Sequence, residues 1–331
     1  MSDLYAVTSG DPAGIGPDIS LKIALRDDSH QFVVLGNIKL LRERAEMHAM
    51  DVKFIEFDES ILDSQIQKNT LLVKDFNLNH TVQPGVIDSK NGSYVLSMID
   101  YAVKGCLDGR FSGCITGPVN KEAIINSGYA FTGHTEYIGQ LCNQTPVMSF
   151  VSDQMKIALL TTHLPFKEVS THITSNGIID VVSIIHSDLV NYFGIENPNI
   201  GIVGLNPHAG ENGHIGKEEE DIFLPALSTL NESGIDINGP FAADTILLGD
   251  IQYDLILSIF HDQLLPLFKY ANPHLSTNVT MGLKIIRTSV DHGVAYDKVG
   301  MPDINHQSLY HALDTAKSMA NSYEKTKSAQ S

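Results

Sequence analysis

Apolar residues along this chain gather in short continuous runs, at residues 4–8, 32–35, 71–73, 114–116, 147–151, 157–161, 200–205 and 255–260. Such runs read as strands buried on both faces, because a strand with one face in water would alternate apolar with polar. Stretches of helix length separate them, residues 38–50 after the second strand being one. Strand alternating with helix predicts an α/β fold with a mainly parallel sheet covered on both faces. The first strand runs into Gly10-Asp11-Pro12-Ala13-Gly14-Ile15-Gly16-Pro17, a glycine-rich turn that places Pro17 at a first helical position and Asp18 in the first helical turn. No repeat, low-complexity tract or long linker interrupts the pattern, and only residues 325–331 read as a disordered tail.

Three of the runs stop at a histidine. Ile157-Ala158-Leu159-Leu160 precedes His163, Ile200-Gly201-Ile202-Val203 precedes His208, and Leu255-Ile256-Leu257-Ser258-Ile259-Phe260 precedes His261. In open α/β sheets, chemistry collects beyond the carboxyl ends of the strands. Histidines delivered there from three elements can converge on one divalent ion, and zinc-type catalytic sites use three protein ligands while leaving a position open. A lone strand-end histidine more often caps a loop carbonyl; the repetition is what turns the reading toward a metal. Imidazole donors put zinc first, with cobalt or magnesium as alternatives, although magnesium prefers oxygen ligands. Asp262, beside His261, is read as an oxygen ligand, an orienter of that ring or a helix N-cap.

Composition narrows the partners. The 331 residues, 43% of them hydrophobic, suffice for two domains of ordinary size. A formal charge of −17 argues against broad binding to nucleic acid or anionic membranes, both of which demand a positive surface. Any anionic ligand must then meet a local basic cluster. Cys106, Cys114 and Cys142, an odd number without close paired spacing, fit a reducing compartment better than a disulfide framework. The N-terminus carries no basic leader or apolar targeting core, and no run approaches the ~20 residues that span a bilayer, so a soluble cytoplasmic protein is expected.

The glycine turn sits where a dinucleotide fingerprint would, between strand and helix, but its spacing fails. The third small residue would fall at Ile19, and no Gly-Lys-Ser/Thr exists for a P-loop. A tight turn requiring positive φ is one reading. The other is a likeness of Asp11, Gly14 and Gly16 to the N-terminal turn of isocitrate and isopropylmalate dehydrogenases, which bind nicotinamide cofactors without that fingerprint.

Further blocks are more specific. They are Thr116-Gly117-Pro118-Val119-Asn120-Lys121, Phe131-Thr132-Gly133-His134-Thr135-Glu136, Thr161-Thr162-His163-Leu164-Pro165, and Gly204-Leu205-Asn206-Pro207-His208-Ala209-Gly210-Glu211. After them come Gly239-Pro240 with Ala243-Asp244-Thr245, His261-Asp262-Gln263, and Ile286-Arg287-Thr288-Ser289-Val290-Asp291-His292-Gly293. Together these resemble the 4-hydroxythreonine-4-phosphate dehydrogenases of vitamin B6 biosynthesis, from the first strand to about His292. The resemblance implies an isocitrate/isopropylmalate dehydrogenase-like fold of two α/β/α domains, residues 1–130 with 272–331 and residues 131–271, and an active-site cleft in a homodimer. It implies metal ligands at His163, His208 and His261, the last supplied by the partner subunit. It implies substrate contacts at His134, Thr135, Lys269, Asn278 and Arg287, a set whose cations and helix N-terminus would suit a phosphate. NAD or NADP is the implied cofactor, with Asp291, His292 and Gly293 resembling an adenosine-contacting loop. Asp244 is a candidate base near the nicotinamide, or a partner orienting a ligand histidine.

The chain departs from the family pattern at Leu264, where glycine is usual, at Lys284, where proline is usual, and in the loop 270–277, which lacks its glycine- and arginine-rich character. The implied reaction is oxidation of 4-phosphohydroxy-L-threonine to a 3-keto acid that decarboxylates to 3-amino-2-oxopropyl phosphate. A sister dehydrogenase of 4-phospho-threonate or 4-phospho-erythronate shares the three histidines and is the nearest alternative. A metal-dependent hydrolase is a distant one, since no His-Glu-x-x-His helix is present. A non-catalytic binding module is disfavoured because histidines, cations and glycine turn occur together.

Overall fold

The structure, a computed structural model, describes residues 4–58, 68–249 and 252–330. Along the chain run β1 (Tyr5–Thr8), α1 (Gly16–Leu21), β2 (Phe32–Gly36), α2 (Ile38–Met47), β3 (Lys53–Glu56), β4 (Thr70–Asp75), α3 (Gly92–Leu107), β5 (Gly113–Thr116), α4 (Lys121–Asn126) and α5 (His134–Cys142). There follow β6 (Val147–Val151), β7 (Lys156–Leu159), α6 (Phe166–His172), α7 (Ser175–Phe193), β8 (Ile200–Val203), α8 (Leu224–Glu232), β9 (Ile237–Phe241), β10 (Leu255–Ser258), α9 (His261–Ala271), β11 (Thr277–Met281), β12 (Ile286–Ser289) and α10 (Gln307–Gln330). The expected α/β class is the one adopted. The chain divides into two units, Met1–Thr145 with Leu283–Ala320, and Pro146–Gly282 with Asn321–Ser331.

In the first unit the strands lie in the order β3-β4-β2-β1-β5-β12, all parallel. From β1 the chain winds outward to β2 on one side, while β5 lies on the other, so the carboxyl ends of β1 and β5 flank a switch point where ligands of open α/β sheets bind. Both glycine-containing turns, residues 9–16 and 116–120, leave the sheet there. Helix α3 covers the sheet because Val95, Met98, Ile99, Ala102 and Val103 recur on one face, and they pack with Ala6, Val33, Leu35 and Leu72.

The second unit orders its strands β11-β6-β7-β10-β8-β9, with β6 antiparallel to both β7 and β11 and the rest parallel. Helix α7 shows why a segment without strong intrinsic propensity is helical. Ile178, Val182, Ile185 and Leu189 are buried at helical spacing, each worth about 1.5–3 kcal/mol when removed from water. Thr174 caps its N-terminus by accepting from the Gly177 amide at 3.0 Å, and Gly194, at φ +68, ends it in the left-handed conformation. Its fifth buried residue is a carboxylate, Asp188, which accepts from the Gly282 amide at 2.8 Å.

The expectation of a disordered tail fails: α10 continues to Gln330. The tail is polar, yet Thr326 and Ser328 hydroxyls donate to the carbonyls of Ser322 and Glu324, and Tyr323 stacks on Tyr192 with ring centroids 5.1 Å apart. A helix whose earlier turns bury Leu309, Leu313, Ala316 and Met319 carries its polar end with it. Among the described residues no single helix is long and apolar enough to cross a membrane.

Candidate functional site

Strand β10 lies between β7 and β8, and all three are parallel, so the three histidine-bearing loops leave one edge of the sheet side by side. The rings of His163 and His261 stand 5.8 Å apart between centroids. His261 opens α9, and its Nδ1–H donates to Asp262 Oδ1 at 2.6 Å, which leaves Nε2 as the outward-facing donor atom. Of the three roles expected for Asp262, orienting the ring is the one this geometry serves. Gln263 ties two of the loops together: its Oε1 accepts from the Ile259 amide at 2.8 Å and its Nε2 donates to the Gly204 carbonyl at 2.7 Å.

His208 is held differently. Residues His208, Ala209, Gly210, Glu211, Asn212 and Gly213 all have positive φ, between +46 and +79. Each non-glycine residue in that conformation costs about 1–2 kcal/mol, so the turn persists only because something braces it. Buried Glu219 does so, accepting from the Asn206 amide and from Asn206 Nδ2, both at 2.8 Å. His208 itself is exposed. Among the described residues no group of three His, Cys, Asp or Glu side chains stands close enough to hold a metal ion. His163 and His261 therefore fit two positions of an imidazole site, and among the described residues no third His, Cys, Asp or Glu joins them.

In the first unit, His134 opens α5 behind Gly133, which offers no side-chain cap. The His134 Nε2 is shut off from solvent without a hydrogen-bond partner among the described residues. Its imidazole is held well below the usual histidine range by burial, then by the positive charges of Arg287 and Lys121, so it is neutral at physiological pH. Arg287 is buried on β12, and its Nη2 donates to Thr116 Oγ1 at 2.6 Å. Burial lowers it to about 10, against the opposing pull of Cys114 and Glu136, so it remains a cation. Thr135 is buried in the first turn of α5.

The glycine turn beside this group is fixed by contact more than by dihedral. Gly10 has φ +73, but Gly14 and Gly16 do not have positive φ. A Cβ at Gly14 would stand 2.8 Å from the Val294 carbonyl oxygen, and one at Gly16 would run into the Ser9 carbonyl. The loop after β12 thus packs directly on the turn. Asp11 joins them, accepting from Tyr296 Oη at 2.8 Å and from the Ala13 amide at 2.9 Å. Beneath, buried Arg44 donates to Asp18 Oδ2 and to the Pro12 carbonyl, both at 3.0 Å. His292 Nδ1 donates to the Gly293 carbonyl at 2.9 Å, and the Asp291 amide donates to Ser308 Oγ at 2.9 Å.

The other expected substrate residues lie in the second unit. Lys269, in the last turn of α9, puts its Nζ 5.6 Å from the centroid of Phe150, and Phe150 is the register partner of Asn278 on β11. Lys269 and Asn278 are thus neighbours through one aromatic ring. Of the departures, Leu264 is buried in the core, and the amide of Lys284, absent from a proline, donates to Gln144 Oε1 at 2.5 Å. Asp244 is exposed in the turn after β9.

Residues 28–316 match the family described as pyridoxal phosphate biosynthetic protein PdxA. The chain belongs to that family. It is 42% identical to the 4-hydroxythreonine-4-phosphate dehydrogenase of Pseudomonas syringae pv. tomato, over 96% of this chain and 98% of that one. The enzyme of the same name from Pseudomonas aeruginosa is 41% identical over 97% of this chain and 99% of that one. Among solved structures, 4-hydroxythreonine-4-phosphate dehydrogenase from Klebsiella pneumoniae superposes with a TM-score of 0.86 at 30% identity, covering 96% of this chain and 100% of that chain. In this PdxA-family chain, Gln263 and Glu219, which fix the histidine-bearing loops, were not singled out by the sequence. Gln263 was visible only as the third member of a motif, and nothing in the sequence links Glu219 to the turn it braces.

Proposed function

We propose that the chain is an NAD- or NADP-dependent dehydrogenase of 4-phosphohydroxy-L-threonine, acting in the cytoplasm in pyridoxine 5'-phosphate biosynthesis. The observation that carries this reading is 42% identity, over 96% of the chain, to a dehydrogenase named for that substrate. It ranks the reading above oxidation of 4-phospho-threonate or 4-phospho-erythronate. In the reaction, Lys269, Asn278, Arg287, His134 and Thr135 bind the substrate, the cations and amides taking its anionic groups. We assign the hydroxyl proton to Asp244; a nicotinamide cofactor, when bound, would supply the hydride acceptor, and the loop of Asp291, His292 and Gly293 would hold its nucleotide. The resulting 3-keto acid loses carbon dioxide to give 3-amino-2-oxopropyl phosphate.

His163, His208 and His261 are the proposed holders of a divalent ion, zinc or else cobalt or magnesium, in a homodimer that completes the set shared between subunits. When bound, such an ion would polarise the substrate's hydroxyl oxygen and the carbonyl formed from it. Asp262 keeps the His261 ring turned so that Nε2 is the free donor. The test is NADH or NADPH production with 4-phosphohydroxy-L-threonine, before and after chelation and metal add-back. Turnover that vanishes with chelator and returns with a divalent ion is expected. Activity confined to 4-phospho-threonate or 4-phospho-erythronate would move the assignment to the sister reaction, and substrate consumption without nicotinamide reduction would replace it with hydrolysis.

A further inference from the structure

Lys121 opens α4 in the segment Thr116-Gly117-Pro118-Val119-Asn120-Lys121, and its positive charge acts on His134. Asn120 caps that helix by accepting from the Ala123 amide at 2.8 Å, which fixes where the lysine stem begins. The stem reaches Gly133: Lys121 Cε and Nζ lie 3.6 Å from the point a Gly133 Cβ would occupy, and Glu136 Oε2 lies 2.7 Å from the same point. Among the described residues the Lys121 ammonium has no hydrogen-bond or ion-pair partner. It stands at the uncapped start of α5, whose first-turn amides carry the positive end of the helix dipole. Beside it the His134 Nε2 is buried and without a partner, and Arg287 supplies a second cation.

We propose that Lys121 is a further substrate-binding residue, which closes on the phosphate of the substrate at the N-terminus of α5 together with His134 and Arg287. The charges acting on this group, Lys121 and Arg287 against Glu136, leave it positive in a chain whose net charge is −17. A phosphate dianion would satisfy three groups at once: the orphan imidazole nitrogen as donor, the helix amides, and an ammonium without a partner among the described residues. Lysine suits the outer position because its flexible stem and rotatable donors let it swing onto a ligand, whereas buried Arg287 is fixed by Thr116. The proposal rests on the dehydrogenase reading for the identity of the substrate, but its anion site can be measured without turnover.

The experiment has two parts on the full-length protein. Inorganic phosphate is titrated into wild type, Lys121→Gln and Lys121→Arg and followed by phosphorus NMR, and KM and kcat for 4-phosphohydroxy-L-threonine are measured on the same preparations. Lys121→Gln should weaken phosphate and raise KM by about tenfold or more with kcat within about threefold, and Lys121→Arg should recover most of both. In the unsubstituted chain, phosphate should slow acetylation of Lys121 by acetic anhydride, a readout that needs no variant to fold. Unchanged phosphate affinity in Lys121→Gln, or no protection of Lys121, would overturn the assignment. Protection by L-threonine but not by phosphate would overturn it in favour of the carboxylate end. Phosphate binding that depends on Lys121 in a protein with no turnover would sink the dehydrogenase reading and leave the anion site standing.

Discussion

Asp188 is a carboxylate buried in the middle of α7, and replacing it with asparagine should stabilise the protein in a way that depends on pH. Burial pushes its pKa up from the ordinary 3.8 to about 7, and the single hydrogen bond from the Gly282 amide does not offset that. The groups facing it are phenols: Tyr192 on the same helix, itself raised by burial and then by Asp188 and Tyr323. The native state therefore holds a proton on Asp188 between pH 4 and 7, where the unfolded chain has lost it. Stability falls with rising pH across that window and levels off above the folded pKa. The distance from 3.8 to about 7, at about 1.4 kcal/mol per pH unit, corresponds to about 4 kcal/mol of stability absent at pH 8. Asp188→Asn keeps an oxygen for the Gly282 amide and removes the charge, while its new amide group costs about 1 kcal/mol if it finds no acceptor. The net gain is about 3 kcal/mol at pH 8 and close to zero near pH 4.5. Denaturant midpoints of both proteins, measured from pH 4.5 to 8.5, give the comparison; midpoints are the safer quantity because a chain of two units need not unfold in one step. A difference between the two proteins that does not change with pH would refute the reasoning, as would a loss of stability at pH 8.

At the glycine turn, Gly16→Ala forces a methyl into the Ser9 carbonyl and should cost about 2 kcal/mol or more, seen as a lower thermal midpoint; an unchanged midpoint would mean the turn yields freely. At the histidine pair, Asp262→Asn removes the acceptor that sets the His261 tautomer and should weaken zinc binding about tenfold in competition with a chromophoric chelator, with the fold intact by circular dichroism. Equal zinc affinity in that variant would show that the ring needs no such partner.

Much of the α/β frame was legible in the chain because buried parallel strands write themselves as uninterrupted apolar runs. β1, β2, β5, β7, β8 and β10 all did so, and the three histidines were visible because they follow such runs. Other strands left weaker marks. β3 is a polar edge strand, β9 contains Gly239-Pro240, β11 is Thr-Asn-Val-Thr-Met, and β12 carries the buried cation Arg287. In each, pairing with a neighbouring strand decides the conformation where local composition does not. The antiparallel turn of β6 between β7 and β11 was equally invisible, because direction is a property of the pairing and not of either strand.

The candidate site divides the same way. Residue types and their order identified the family's motifs and the expected ligands, since those are covalent facts of the chain. Whether two residues meet is not such a fact. Only the tertiary structure turned the His261 ring with Asp262, set His163 beside it while leaving His208 apart on a left-handed turn, and brought Lys121 to Gly133 at the mouth of α5. Those outcomes depend on where loops land after the sheet has chosen its strand order, and that choice is made by burial summed over the whole sheet, which no local stretch of sequence contains.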